Sequence, residues 1–296
     1  MSNLPEETTQ APVLPDELRL GPVQIKVTDL DRSIDFYERA IGLQLSSREN
    51  GEATLGAGGE DLLVLREEPN AKPAGRHAGL YHFALLHPSR TELARAVQRL
   101  AASGTPIQGA SDHGISEAIY LPDPDGNGIE LAADRPRERW GDLRDPTTIG
   151  PAPLDLEELL ATVDGEEPTA HADPGLRVGH LHLHVGDVEE GLAFYRDLVG
   201  FEVMTHFGTA AFVAAGGYHH HLGFNTWRGE GVPAAPEDAV GLDRWTVLLD
   251  EESLAALRER FERAGVEVEA LDGGLLVRDP WGTATLFAVA KDPSSH

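Results

Sequence analysis

The sequence predicts an α+β fold assembled from four βαβββ modules, with the helices packed outside the sheets. Three observations carry that expectation. Arg177 to Val185 alternates polar and apolar residues, the period of a half-buried strand, and repeats the strand-like stretch Leu18 to Val27. Ser33-Ile34-Asp35-Phe36-Tyr37 followed by Gly42 returns as Gly191-Leu192-Ala193-Phe194-Tyr195 followed by Gly200. The turn Asp123-Pro124-Asp125-Gly126 returns as Asp279-Pro280-Trp281-Gly282. The modules follow one another as A, B, A′ and B′.

Each element has a local reason. Residues 1–16 are polar and acidic and read as a disordered arm, without the basic start and apolar core of a signal peptide. Leu18 to Val27 is the first strand; Asp29 or Asp31 can cap a helix over 31–41, which Gly42 ends. Strands follow at 43–47, 52–56 and 62–67, with Asn50-Gly51 as a hairpin turn. After a loop at 70–77, module B has a strand over 79–86 and a helix over 89–103 closed by Gly104. Its further strands lie near 106–109, 115–121 and 128–132. Module A′ continues from Arg177 through its Phe194-Tyr195 helix to strands at 201–207, 210–214 and 219–227. Module B′ has a strand over 242–249 and a helix over 251–264 closed by Gly265. The expected organisation is therefore an arm (1–16), a first module pair (17–135), a proline-containing connector with one short helix near 154–163 (136–174), and a second pair (175–291).

Composition narrows the function. With 296 residues, 41% of them hydrophobic, the chain can build two ordinary cores, and no run of about 18 apolar residues offers a membrane span. There is no cysteine, which excludes disulfides, thiolate zinc sites and cysteine nucleophiles; any metal must be held by nitrogen and oxygen. The formal net charge of -26 argues against nucleic acid or an anionic membrane as partner. The reading is a cytoplasmic protein, a functional monomer or a homodimer. Lys26, Lys72 and Lys291 are its only lysines, and an acidic, lysine-poor surface suits a high-salt interior.

The chemistry gathers on histidines. Alternation puts His180, His182 and His184 on one strand face, and His180 and His184 stand about 13 Å apart, too far to share an ion. One of them can be a ligand while the others pack or hydrogen-bond. A second cluster, His219-His220-His221, lies downstream. Alternation along a strand there would turn His220 one way and its neighbours the other.

The stretches Thr28-Asp29-Leu30-Asp31-Arg32-Ser33-Ile34-Asp35-Phe36-Tyr37, Gly79-Leu80-Tyr81-His82 and Asp123-Pro124-Asp125-Gly126-Asn127-Gly128-Ile129-Glu130-Leu131 resemble the vicinal oxygen chelate superfamily. With Gly217-Tyr218-His219-His220-His221, the resemblance is closest to its catechol 2,3-dioxygenase-like branch with four modules, over roughly residues 18 to 290. It implies that modules pair into two cup-shaped mixed β-sheets. It also implies a divalent metal, Fe(II) with Mn(II) as the alternative, held by two histidines and one glutamate. Positions stay open for an aromatic diol and for O₂.

Carried over residue by residue, the ligand positions fall on Pro22 in module A and His180 in A′. They fall on His82 and Glu130 in B, and on Arg244 and Leu286 in B′. Neither A with B nor A′ with B′ holds a full set. His180 from A′ with His82 and Glu130 from B does, so a crossed cup is expected. Alone, Glu130 reads as a solvated strand-end carboxylate and His82 as a core histidine; their complementarity lifts all three. The resemblance makes His220 the acid–base candidate, Tyr120 a substrate-oxygen contact ten residues before Glu130, and His113 a further neighbour. The implied activity is extradiol ring cleavage of a catechol or hydroquinone-like diol. A glyoxalase-like isomerase or lyase using Zn(II) or Ni(II), or a metal-free small-molecule binder of the bleomycin-resistance type, is the competing class.

Overall fold

The computed structural model describes residues 13–143 and 150–290. Module A comprises β1 (Arg19–Val27), α1 (Leu30–Phe36), β2 (Gln44–Glu49), β3 (Glu52–Gly56) and β4 (Asp61–Glu67). Module B comprises β5 (Gly79–His87), α2 (Arg90–Ser103), β6 (Gly109–Asp112), β7 (Ser116–Pro122) and β8 (Gly128–Asp134). The connector contributes β9 (Ala152–Pro153) and α3 (Leu156–Ala161). Module A′ has β10 (Arg177–His184), α4 (Val188–Leu192), β11 (Glu202–His206), β12 (Ala210–Ala214) and β13 (Leu222–Asn225). Module B′ has β14 (Gly241–Leu249), α5 (Glu251–Ala264), β15 (Glu269–Leu271), β16 (Gly274–Arg278) and β17 (Ala284–Val289). No described helix is long and apolar enough to cross a membrane.

The modules pair crosswise. One sheet runs β15-β16-β17-β14-β1-β4-β3-β2 and joins A to B′; the other runs β11-β12-β13-β10-β5-β8-β7-β6-β9 and joins A′ to B. The boundaries at 135 and 175 thus delimit repeats in the sequence, while each sheet draws strands from both halves. Alternation explains how the sheets meet. Val23, Ile25, Phe83, Leu85, Leu181, Leu183, Trp245 and Val247 point inward from the four central strands and are fully buried. Each such side chain contributes about 1.5–3 kcal/mol by leaving water. The opposite faces of the same strands are left to line the two cups.

Local chemistry sets the helices. Asp29 caps α1 by accepting from the Arg32 backbone N–H, so the helix starts at Leu30, and Gly42 ends it at φ 85°. Its last turn, Tyr37–Ile41, widens into π-helix, and Ala193–Val199 does the same in A′. At both places a tyrosine of the wide turn reaches a buried aspartate: Tyr37 Oη donates to Asp123 at 3.2 Å and Tyr195 Oη to Asp279 at 2.9 Å. The two repeated sequence motifs therefore meet in space, and the Tyr37 link joins module A of one sheet to module B of the other.

Four expectations change. The strand near 106–109 begins only at Gly109, past Pro106, which has no N–H to give a ladder. The connector helix is confined to 156–161, with Asp155 as its cap. The last strand of A′ spans only Leu222–Asn225, so His219, His220 and His221 sit in the turn before it. Residues 1–12 of the expected arm lie outside the described residues, but residues 13–16 are not free. Leu14 is buried and its N–H bonds the Gly200 carbonyl at 2.9 Å.

Candidate metal centre and active site

Three adjacent strands of the A′/B sheet bring the central groups together. Ala84 on β5 pairs with His180 on β10 at one flank and with Glu130 on β8 at the other. His82 lies two residues before Ala84, so its side chain emerges on the same face. Ala84 carries only a methyl group, and the three longer side chains converge over it. The Nε2 atoms of His82 and His180 each lie 3.0 Å from Glu130 Oε2. Candidate ligand atoms of all three residues fall within 4.8 Å of one another. Among the described residues no other group of three such side chains converges in this way.

Electrostatics favour a cation here. Burial pushes the Glu130 carboxyl up, but the two imidazoles bonded to it outweigh burial and hold it well below the usual carboxylate range. Burial lowers His82 despite Glu130 beside it. Two imidazoles and one carboxylate, with no Lys or Arg bonded to the carboxylate, make a donor set that fits a divalent first-row metal. The related cup of A and B′ lacks such a set. There Gln24 pairs with Arg244, Thr246 lies beside Leu286, and Leu276, Ala284 and Leu286 form an apolar cluster.

The other expected residues surround the trio. Tyr120 stands directly across the β7/β8 ladder from Glu130. Its hydroxyl lies 2.8 Å from His113 Nε2, and burial followed by the Glu130 charge raises its pKa, so the phenol keeps its proton. The His220 ring lies 4.1 Å from the His180 ring, centroid to centroid. His220 thus lies against a member of the trio, and the turn, not strand alternation, puts it there. His221 turns elsewhere and accepts from the Ala215 N–H.

His182 and His184 are bridged by fully buried Asn225. The Trp227 backbone N–H donates to Asn225 Oδ1, which fixes the amide so that Nδ2 donates to His182 Nε2 while His184 Nδ1 donates to Oδ1. Burial lowers both histidines, His184 to about 4, so these are neutral rings. Around His182 stand Tyr81, Phe212 and Trp227, with ring centroids 5.3–5.4 Å away. Tyr81 and Trp227 are exposed and form an aromatic rim beside the trio. Asn225, Phe212 and Trp227 carry no signal in the sequence alone.

A cavity of about 1120 Å³ lies away from this cluster, bounded by Lys26, Arg66, Arg228, Asp243 and Trp281. Arg66 and Asp243 pair at 2.9 Å across it, and no group there resembles a ligand set. The converging donors, not this open space, mark the site.

Comparison with known proteins agrees with the fold. The family described as the glyoxalase/bleomycin resistance protein/dioxygenase superfamily matches residues 19–131 and 177–296. A protein of Bacillus subtilis (strain 168) named catechol-2,3-dioxygenase is 41% identical over 272 residues, 90% of this chain and 95% of that one. A crystal structure from Bacillus subtilis, provisionally described as a dioxygenase, aligns with a TM-score of 0.66 at 13% identity, covering 96% of this chain and 87% of the other. Glyoxalase I from Zea mays aligns with a TM-score of 0.57 at 18% identity, covering 92% of each chain. At those identities the two structures establish the fold alone. The crossed four-module architecture, the matches in both halves and the long alignment to the Bacillus relative place this chain in the glyoxalase/bleomycin resistance protein/dioxygenase superfamily.

Proposed function

We propose that this protein is an extradiol dioxygenase that opens a catechol or hydroquinone-like ring beside its hydroxyls, consuming O₂. The carrying observation is the convergence of His82, His180 and Glu130 in the A′/B cup of a chain so similar to a relative named for this activity. Two histidines and one carboxylate on one face are the donor set of non-haem Fe(II) oxygenases, and Fe(II), with Mn(II) as the alternative, is the metal proposed. When bound, the metal supplies an open coordination site at which diol and O₂ are held together.

The chain's own residues do the rest. Tyr120 keeps its phenolic proton and donates it in a hydrogen bond to a substrate oxygen, steadied by His113. His220, in ring contact with His180, is the proton acceptor and donor for the diol hydroxyl. Tyr81 and Trp227 offer ring faces and edges to an aromatic substrate at the rim.

Oxygen uptake by iron-loaded protein with a panel of catechols and hydroquinones tests the reading. Stoichiometric O₂ consumption with a ring-opened product is expected. Isomerisation of a hemithioacetal without O₂ uptake would assign the chain to glyoxalase-like chemistry instead. Tight diol binding with no turnover and no metal would make it a binder.

A further inference from the structure

His219 and Asp134 lie behind His220 and have no part in the reading above. Asp134 ends β8, four residues after Glu130 on the strand that also carries the carboxylate of the trio. Its Oδ1 lies 3.0 Å from His219 Nε2, and its Oδ2 accepts from the Tyr218 hydroxyl at 2.9 Å. His219 Nδ1 lies 2.8 Å from His220 Nδ1. Trp140 from the connector covers the His219 ring at 5.2 Å and is itself held by its Nε1–H on the Arg135 carbonyl. His219 is buried, and His220 is half-buried against Phe212 and His180.

The direction of each bond follows from what each atom can do. A carboxylate only accepts, so His219 Nε2 carries a proton and donates it to Asp134. A neutral imidazole has one N–H, so His219 Nδ1 is then a lone pair and accepts from His220 Nδ1–H. That leaves His220 Nε2 unprotonated. Among the described residues this nitrogen has no hydrogen-bond partner, and it is not among the atoms closed off from solvent.

Resting on the dioxygenase reading, we propose that Asp134 and His219 are positioning residues that lock His220 in the tautomer whose free Nε2 faces the substrate. When His220 accepts the diol proton, the hydroxyl O–H bond breaks and an Nε2–H bond forms. The imidazolium charge is then offset through His219 by Asp134. A carboxylate fixing a histidine tautomer from behind is the arrangement whose loss is costly in serine proteases, where geometry survives but turnover falls by orders of magnitude. The rival description is a structural ion pair that merely ties the β12–β13 turn to β8.

Two measurements separate them. Nitrogen NMR of histidine-labelled, zinc-loaded full-length protein reads the tautomers without turnover. The proton is expected on Nδ1 of His220 and on Nε2 of His219; a proton on His220 Nε2 overturns the relay. In iron-loaded protein, Asp134→Ala should lower kcat by roughly 100-fold. KM and metal content should stay within about threefold. Added formate should restore part of kcat, and Asp134→Ala/His219→Leu should lose no more than His219→Leu alone. Equal losses in kcat and metal content, with no rescue by formate, would show a structural pair. The expected tautomers without any O₂ uptake by wild type would sink the dioxygenase reading and leave the relay standing. Oxygen uptake with the other tautomer would do the reverse.

Discussion

At the scale of single residues, much turns on buried histidines that stay neutral. His87 is the clearest. It is 3% exposed, neither ring nitrogen has a partner, and burial, then the nearby Arg99, lowers its pKa to about 3. In the unfolded chain its pKa is about 6.5, so as pH falls from about 6.5 towards 3 the unfolded state takes up a proton that the folded state refuses. Stability is therefore lost on acidification through that window, by up to about 5 kcal/mol at its foot. His87→Leu should flatten the acid limb of urea midpoints measured from pH 7 to 4, and raise stability at pH 7 by about 1–3 kcal/mol by removing unpartnered polar atoms. An unchanged acid limb would mean that His87 is protonated or solvated in the fold. Of the histidines prominent in the sequence, His180 was separable from His182 and His184 by resemblance. The true partner of the latter two, Asn225, was not, because a bridge between strands depends on register that one strand cannot reveal.

At the scale of elements, the site is an arrangement of three neighbouring strands over one small residue. Ala84, fully buried, separates His180 from Glu130 across the two ladders. Ala84→Leu should abolish metal uptake measured by elemental analysis and destabilise the fold by about 1–3 kcal/mol through overpacking. Retained metal at full occupancy would show that the three groups do not converge over β5. Tyr120 stands out in the sequence only through the resemblance, ten residues before Glu130; that the two face each other follows from the β7/β8 register, which pairs Pro122 with Gly128 at the turn. The histidine cluster was half legible. Its importance showed in the sequence, but its strand assignment failed, because Gly216 and Gly217, both at positive φ, prolong the turn to His221. The connector's part, Trp140 over His219, was invisible, since loop packing leaves no periodic trace.

At the scale of the molecule, the crossed pairing decides everything. It was inferred from which modules hold histidine and glutamate at matching positions, and the strand order A with B′ and A′ with B agrees. The Tyr195–Asp279 contact within the A′/B′ half and the Tyr37–Asp123 contact within the A/B half tie the two sheets together. Tyr195→Phe leaves Asp279, buried and raised to about 6, short of one donor, and should cost about 1–3 kcal/mol in chemical denaturation. A neutral effect would show that the sheets hold without that latch. The -26 charge predicts that the thermal midpoint rises from low to molar salt as self-repulsion is screened; equal midpoints would remove the link to a high-salt interior. The most direct test of the crossed centre is the metal content of anaerobically prepared wild type, His82→Ala, His180→Ala and Glu130→Gln. About one iron or manganese per wild-type chain, lost or weakened in all three variants, is the predicted result. Metal kept by His82→Ala and Glu130→Gln but lost when His219, His220 and His221 are replaced would put the centre within A′ and contradict the crossed cup.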